Sequence, residues 1–196
     1  MRLRSALGVL VAACVSLAPA ATAIPNPRPP VRHLGLQVLG LQRGQRFGVD
    51  QVYDEWPCHG RNKSPGLRIW GVPKAAKSLA ITIFDPDAPT QSGWWHWIAY
   101  DLPTTTTQLK EDASKTGLPH GAKQGPNDFG FGSARYGGVC PPAGRPPHHY
   151  RVTLWALKVG TLVPLGAQHG ASAALIDYLI EANAIAHRTV TVLYSR

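Results

Sequence analysis

Along residues 78–84, Leu79, Ile81 and Ile83 alternate with Ala80, Thr82 and Phe84. Both sets are largely apolar, so the pattern predicts a strand buried on its two faces. Residues 94–102, rich in aromatics, and residues 149–157, rich in β-branched and aromatic side chains, predict two more. Shorter strands are expected over 34–41, which alternates in part, and over 67–72. Residues 172–187 change period. There Leu175, Ile176, Leu179 and Ile180 fall on one helical stripe, and Ser172 stands where an N-cap belongs. A closing strand is expected over 189–194. Residues 103–138 are dominated by Thr, Gly and Pro and predict loop throughout. A loop of that length inside a compact domain implies a task, and its Gly-rich part, 125–138, is suited to shaping a binding site on a rigid β scaffold. The pattern is mainly β with one helix near the C-terminus, without internal repeat.

Composition narrows the class. The 196 residues include 20 Gly and 18 Pro, which argues against a helical bundle or coiled coil. With 44% hydrophobic and 16% charged residues the chain is too apolar to be disordered, and its length suits one domain. Residues 1–23 stand apart. Arg2 and Arg4 precede an apolar run from Ala6 to Leu17, and Ala21-Thr22-Ala23 closes it, the pattern of a secretory signal peptide. The alternative is lipidation at Cys14, where Val11-Ala12-Ala13-Cys14 resembles a lipoprotein cleavage box. Residues 24–33, rich in Pro and Arg, are expected to be extended. The domain proper is then residues 34–196, placed in the periplasm or secreted. No second segment is apolar enough to span a membrane.

Loss of residues 1–23 removes two of the 20 basic residues and none of the 11 acidic ones, so the chain stays basic. The charge is scattered, without the runs that mark a nucleic-acid or polybasic membrane surface. Two readings stand: a mild bias toward anionic ligands, or a surface charged for solubility. Cys58 and Cys140 remain after cleavage. In an oxidising compartment they are expected to form a disulfide, the alternative being two buried thiols.

Three segments carry candidate chemistry. Asp85-Pro86-Asp87-Ala88-Pro89 follows a buried strand, and an extended backbone would aim Asp85 and Asp87 the same way. The bland alternative makes them turn residues that cap backbone amides. In Trp94-Trp95-His96-Trp97, Trp94 and His96 share a face. In His148-His149-Tyr150, His148 and Tyr150 share one and His149 faces away. Separately, each residue has a structural explanation. Together they compose a small polar pocket with convergent donors. Gly130-Phe131-Gly132-Ser133 fits neither a nucleophile elbow nor a dinucleotide fingerprint. The candidate acids and imidazoles lack metal-ligand spacing, so no cofactor and no metal are expected. Trp56, Trp70 and Trp155 are assigned to core or inter-sheet packing.

These segments in this order, with Tyr136-x-Gly138-x-Cys140-Pro141-Pro142 between them and Cys58-x-Gly60-x-Asn62-x-Ser64-Pro65 upstream, resemble the phosphatidylethanolamine-binding protein (PEBP) family, in particular its bacterial Raf-kinase-inhibitor-like branch. The resemblance spans residues 58–196. It implies an antiparallel β-sandwich, a large central sheet with a smaller one packed on it, and few helices. It implies a non-enzymatic pocket for a small anion such as phosphate or a phosphorylated head group, with Asp85, Asp87, Trp94, His96, His148 and Tyr150 as ligand-binding positions. Tyr136, Gly138, Cys140, Pro141 and Pro142 would form the rim. Val139, His149 and Asn183 depart from residues common in relatives, at positions where Pro, Arg and His are frequent.

In such a pocket a protonated His96 or His148 would donate to phosphate oxygens, joined by the Tyr150 hydroxyl. Asp85 and Asp87 would orient and charge the imidazoles, or accept from an ammonium. Affinity would then fall as pH rises past neutral. A homodimer, peripheral membrane association and a protein partner stay open. So does a second function class, a secreted inhibitor acting through partner contacts, and, more remotely, a metal-dependent hydrolase.

Overall fold

The computed structural model describes residues 33–130, 134–168 and 170–196. The expected signal peptide, the Cys14 alternative, most of the Pro/Arg-rich segment, and Phe131, Gly132 and Ser133 lie outside them.

Two antiparallel sheets form the domain. The smaller has the order β1 (Gly35–Val38), β2 (Leu67–Trp70), β5 (Gln108–Leu109). The larger has the order β6 (Lys123–Gln124), β4 (Trp94–Leu102), β3 (Ser78–Asp85), β7 (His148–Leu157), β8 (Ala184–Tyr194). Helices α1 (Ala113–Thr116) and α2 (Ala173–Asn183) complete it. No helix among the described residues is long and apolar enough to cross a membrane.

The central position of β3 explains its two apolar faces. Leu79, Ile81 and Ile83 join Trp97, Leu154 and the small sheet's Leu36, Leu67 and Ile69 in one core cluster. Ala80, on the other face, joins Ile98, Leu157 and the α2 residues Ile176, Leu179 and Ile180 in a second. The large sheet therefore lies between the small sheet and α2, which is the expected mainly-β sandwich.

Several expectations are corrected. α2 begins as expected, with Ser172 Oγ accepting from Leu175 N at 3.1 Å, but it ends at Asn183. Asn183 Nδ2 donates back to Leu179 O at 2.8 Å. The chain then turns extended, because β7 offers partners from Leu157 to His148 that pair with β8 from Ala184 to Tyr194. That ladder outweighs the helical propensity of the Ala-rich segment. Leu175 is 41% exposed and Ala173 takes its place on the buried face. The 103–138 region contains β5, α1 and β6. The two strands are residue pairs held by Leu67–Arg68 of β2 and by Ala99–Tyr100 of β4, and two residues carry no readable period. Trp70 is half-exposed and Trp56 almost fully exposed, whereas Trp155 packs between sheet and helix with Nε1 donating to Thr82 Oγ1.

Candidate functional site

In an antiparallel sheet the end of β3 and the starts of β4 and β7 fall at one edge. There Asp85 lies across from Trp94. The two-residue period then places Asp85, Trp94, His96, His148 and Tyr150 around one cavity of about 420 Å³. Trp95 takes the opposite face and packs on Phe84, with ring centroids 4.5 Å apart and planes tilted by 39°.

The histidines are held differently. His148 Nδ1 lies 2.7 Å from Asp85 Oδ2, and both side chains are buried. The other oxygen, Oδ1, accepts the amide of Asp87 at 2.9 Å. Asp85 is thus both an orienting carboxylate and a turn cap, so the two readings of this residue coexist. His96 Nδ1 lies 2.7 Å from the carbonyl of Gly137, whose amide in turn donates to His96 O at 2.8 Å. Burial pulls the His96 pKa down to about 4, against smaller opposing effects of that carbonyl and of the Asp85 charge. His96 is therefore neutral near pH 7, with its proton on Nδ1. This corrects the expectation that a cationic His96 awaits the ligand.

Two donors at the cavity have no partner among the described residues. They are Tyr150 Oη and Trp94 Nε1, each with less than 1 Å² of exposed surface. Burial, and then the Asp85 charge, push the Tyr150 phenol far above its ordinary pKa, so it stays a donor.

The mouth is built from loops. Tyr53, Glu55, Trp56 and Pro57 form one side, Ala88, Pro89 and Thr90 another, and Phe129, Cys140, Pro141 and Pro142 the rest. The Cys58–Cys140 disulfide, with Cα atoms 6.0 Å apart, joins the first side to the last. Arg196 donates to Pro57 O and to Cys58 Sγ.

Three expected site residues do not line this cavity. Asp87 departs because Pro86 and Asp87 form a turn rather than an extended segment, so the two carboxylates diverge. Asp87 accepts instead from the backbone and the ring of His149, each at 2.7 Å. It lines a neighbouring groove with Arg145 and Pro147. Burial works to raise its carboxyl pKa, and the His149 contacts outweigh that and hold it below the usual range. Tyr136 is a strut whose buried hydroxyl donates to Gln51 O at 2.8 Å. Gly138 lies beneath the rim, where a Cβ would run into the backbone of Val52 and Tyr53. Its amide donates to Asn62 Oδ1 at 2.7 Å.

The departures from relatives have local reasons. Val139 is buried, and its amide donates to Gln51 O at 3.0 Å, a bond that proline lacks. His149 holds Asp87, and Asn183 caps α2.

Tyr53, Glu55, Trp56 and Phe129 were not foreseen as lining residues. Their signal was aromatic and acidic residues just before Cys58, and one aromatic within the Gly-rich loop. No three His, Cys, Asp or Glu side chains among the described residues gather as metal ligands.

A family model described as phosphatidylethanolamine-binding protein matches residues 42–195. The chain is 45% identical over 157 residues to YbcL of Escherichia coli, covering 79% of this chain and 83% of that one. To YbhB of the same organism it is 33% identical over 157 residues, covering 79% and 96%. The crystal structure of YbcL, described as a new member of the mammalian PEBP family, matches with a TM-score of 0.78 at 41% identity, over 84% of this chain and 99% of that one. A PEBP homologue from Chlamydia trachomatis matches with a TM-score of 0.67 at 26% identity, again over 84% and 99%.

Proposed function

Because this chain belongs to the phosphatidylethanolamine-binding protein family, we propose that its cavity binds a small anion, phosphate or a phosphorylated head group such as phosphoethanolamine, without turning it over. One observation carries the reading. Tyr150 Oη and Trp94 Nε1 are buried donors without acceptors among the described residues, beside the same cavity as two oriented imidazoles. A buried unsatisfied donor costs free energy, and a ligand rich in acceptor oxygens recovers it.

The binding chemistry follows from the protonation states. His148, backed by Asp85 at Nδ1, has Nε2 left for the ligand. Neutral His96, with its proton held toward Gly137 O, offers a lone pair at Nε2. It accepts from a protonated phosphate oxygen or takes up a proton as the dianion arrives. Tyr150 and Trp94 donate as neutral groups. Both imidazoles are engaged at Nδ1, His96 with Gly137 O and His148 with Asp85 Oδ2, and Thr90 Oγ1 donates to Gly93 O. Export is supported by the N-terminal pattern and by the disulfide, which suits an oxidising compartment.

Titration calorimetry with inorganic phosphate and O-phosphoethanolamine tests this reading, followed by recovery of the ester. Saturable binding of one ligand with the ester intact is the expected result. Release of free phosphate would overturn the non-catalytic assignment. A second reading, a secreted protein that acts through partner contacts, is favoured by Trp56, which stands 85% exposed at the mouth. Inhibition of a protease that survives substitution of His96 and is lost in Trp56→Ala would support it.

A further inference from the structure

The cavity has two unlike halves. Its donors, Tyr150, Trp94 Nε1 and the imidazoles, lie on the sheet side. Beside them stands a wall of rings. Tyr53 and Phe129 stack with centroids 4.1 Å apart and planes 21° from parallel, and Trp94 meets Phe129 edge-on at 5.3 Å and 78°. Trp56 adds an exposed indole at the mouth. The anion reading uses one edge of Trp94 and leaves the rest of this wall without a task.

A ring wall beside a carboxylate is the chemistry of cation recognition, because ring faces carry partial negative charge. Asp85 has both carboxylate oxygens engaged, by Asp87 N and His148 Nδ1. Glu55, exposed at the mouth and engaged with the Tyr53 phenol, supplies the negative charge of this wall. Burial, and then the Glu55 charge, raise the pKa of the Tyr53 phenol, which places that charge beside the stacked pair.

We propose that this wall is a subsite for a methylated ammonium group, so that the cavity prefers phosphate esters carrying a quaternary ammonium over those carrying a primary one. The cation half of this inference stands on the rings, and the zwitterion preference rests on the anion reading above. The discrimination comes from hydration. A primary ammonium gives up water at three N–H groups and finds one carboxylate in return. A trimethylammonium has no N–H to satisfy, and its methyl groups pack against ring faces. The two halves are close enough for one small ligand, since the His96 and Phe129 ring centroids are 5.6 Å apart, within reach of a two-carbon linker.

The test titrates the purified disulfide-bonded protein with inorganic phosphate, O-phosphoethanolamine, phosphocholine and choline. Phosphocholine is expected to bind about tenfold tighter than phosphoethanolamine. In Trp56→Ala and Phe129→Leu that ratio should fall to about 1. Trp56 is solvent-exposed, so its removal leaves the core intact. Choline binding that weakens in Trp56→Ala, with no binding of inorganic phosphate, would uphold the cation subsite and overturn the anion reading. Phosphoethanolamine binding as tightly as phosphocholine, a ratio unchanged in both variants, or no binding of either choline-bearing ligand would overturn the inference. The phosphate arm then reports separately on the anion site.

Discussion

Asp85 Oδ2 stands 2.7 Å from His148 Nδ1, at the point where β3 ends and β7 begins. The same carboxylate caps the turn through Asp87 N. Removing one partner of a buried pair strands the other. Asp85→Ala is therefore expected to lower stability by about 3 kcal/mol, read as a reduced urea midpoint at unchanged slope. Asp85→Asn should keep most of the turn and weaken phosphate binding about tenfold, the value of one charge-assisted hydrogen bond.

Tyr150→Phe has the opposite profile. The phenol oxygen is buried and has no partner among the described residues, so its removal should leave stability unchanged or raise it by up to about 1 kcal/mol. Thermal unfolding of the variant measures this. A loss of more than about 1 kcal/mol would mean that the hydroxyl has a partner in the free protein.

His96 makes stability pH-dependent. Its folded pKa, about 4, lies below the 6.5 of the exposed group. Between those values the unfolded chain binds the extra proton, so stability rises with pH through this window and is lost as pH falls from 6.5 toward 4. The full loss is about 3 kcal/mol. His96→Gln retains a donor for Gly137 O and should flatten this part of the profile in denaturant titrations at pH 7 and pH 4.5. Equal slopes in both proteins would show that other groups carry the dependence.

The disulfide closes a separation of 82 residues and ties two sides of the mouth together. Chain entropy alone assigns such a loop about 4 kcal/mol. Replacing Cys58 and Cys140 together by Ser should lower the melting temperature clearly. It should also weaken ligand binding, since Trp56-Pro57 and Pro141-Pro142 would no longer share a link. Unchanged affinity in the folded double variant would show that the loops hold their positions without it.

The sheet side of the site was legible because strand periodicity assigns faces. Trp94 and His96, and likewise His148 and Tyr150, meet at one cavity for that reason. Where the backbone leaves the strand, the rule fails. Asp87 was grouped with Asp85, yet the turn at Pro86 sends it to His149. Tyr136 and Gly138 sit in the expected loop, but their contacts with Gln51, Val52 and Tyr53 depend on a segment some 85 residues distant in sequence. Trp56 and Phe129 lie in loops without period, so periodicity assigns them no face, and the only local signal is an aromatic beside Cys58 and one within the Gly-rich loop. The end of α2 was misplaced because Ala184 and Ala186 suit a helix, and only the β7 ladder makes them strand. The neutral state of His96 follows from burial, which no residue pattern displays.

The central claim is that the buried Tyr150 hydroxyl, without a partner among the described residues, completes a site for a phosphate-bearing ligand. The most direct test compares O-phosphoethanolamine binding by the intact protein and by Tyr150→Phe in the same calorimeter at pH 7. One saturable site, weakened about tenfold in the variant whose stability is intact, is the result this account predicts. No saturable binding by the intact protein, or equal affinity in the two, would contradict it.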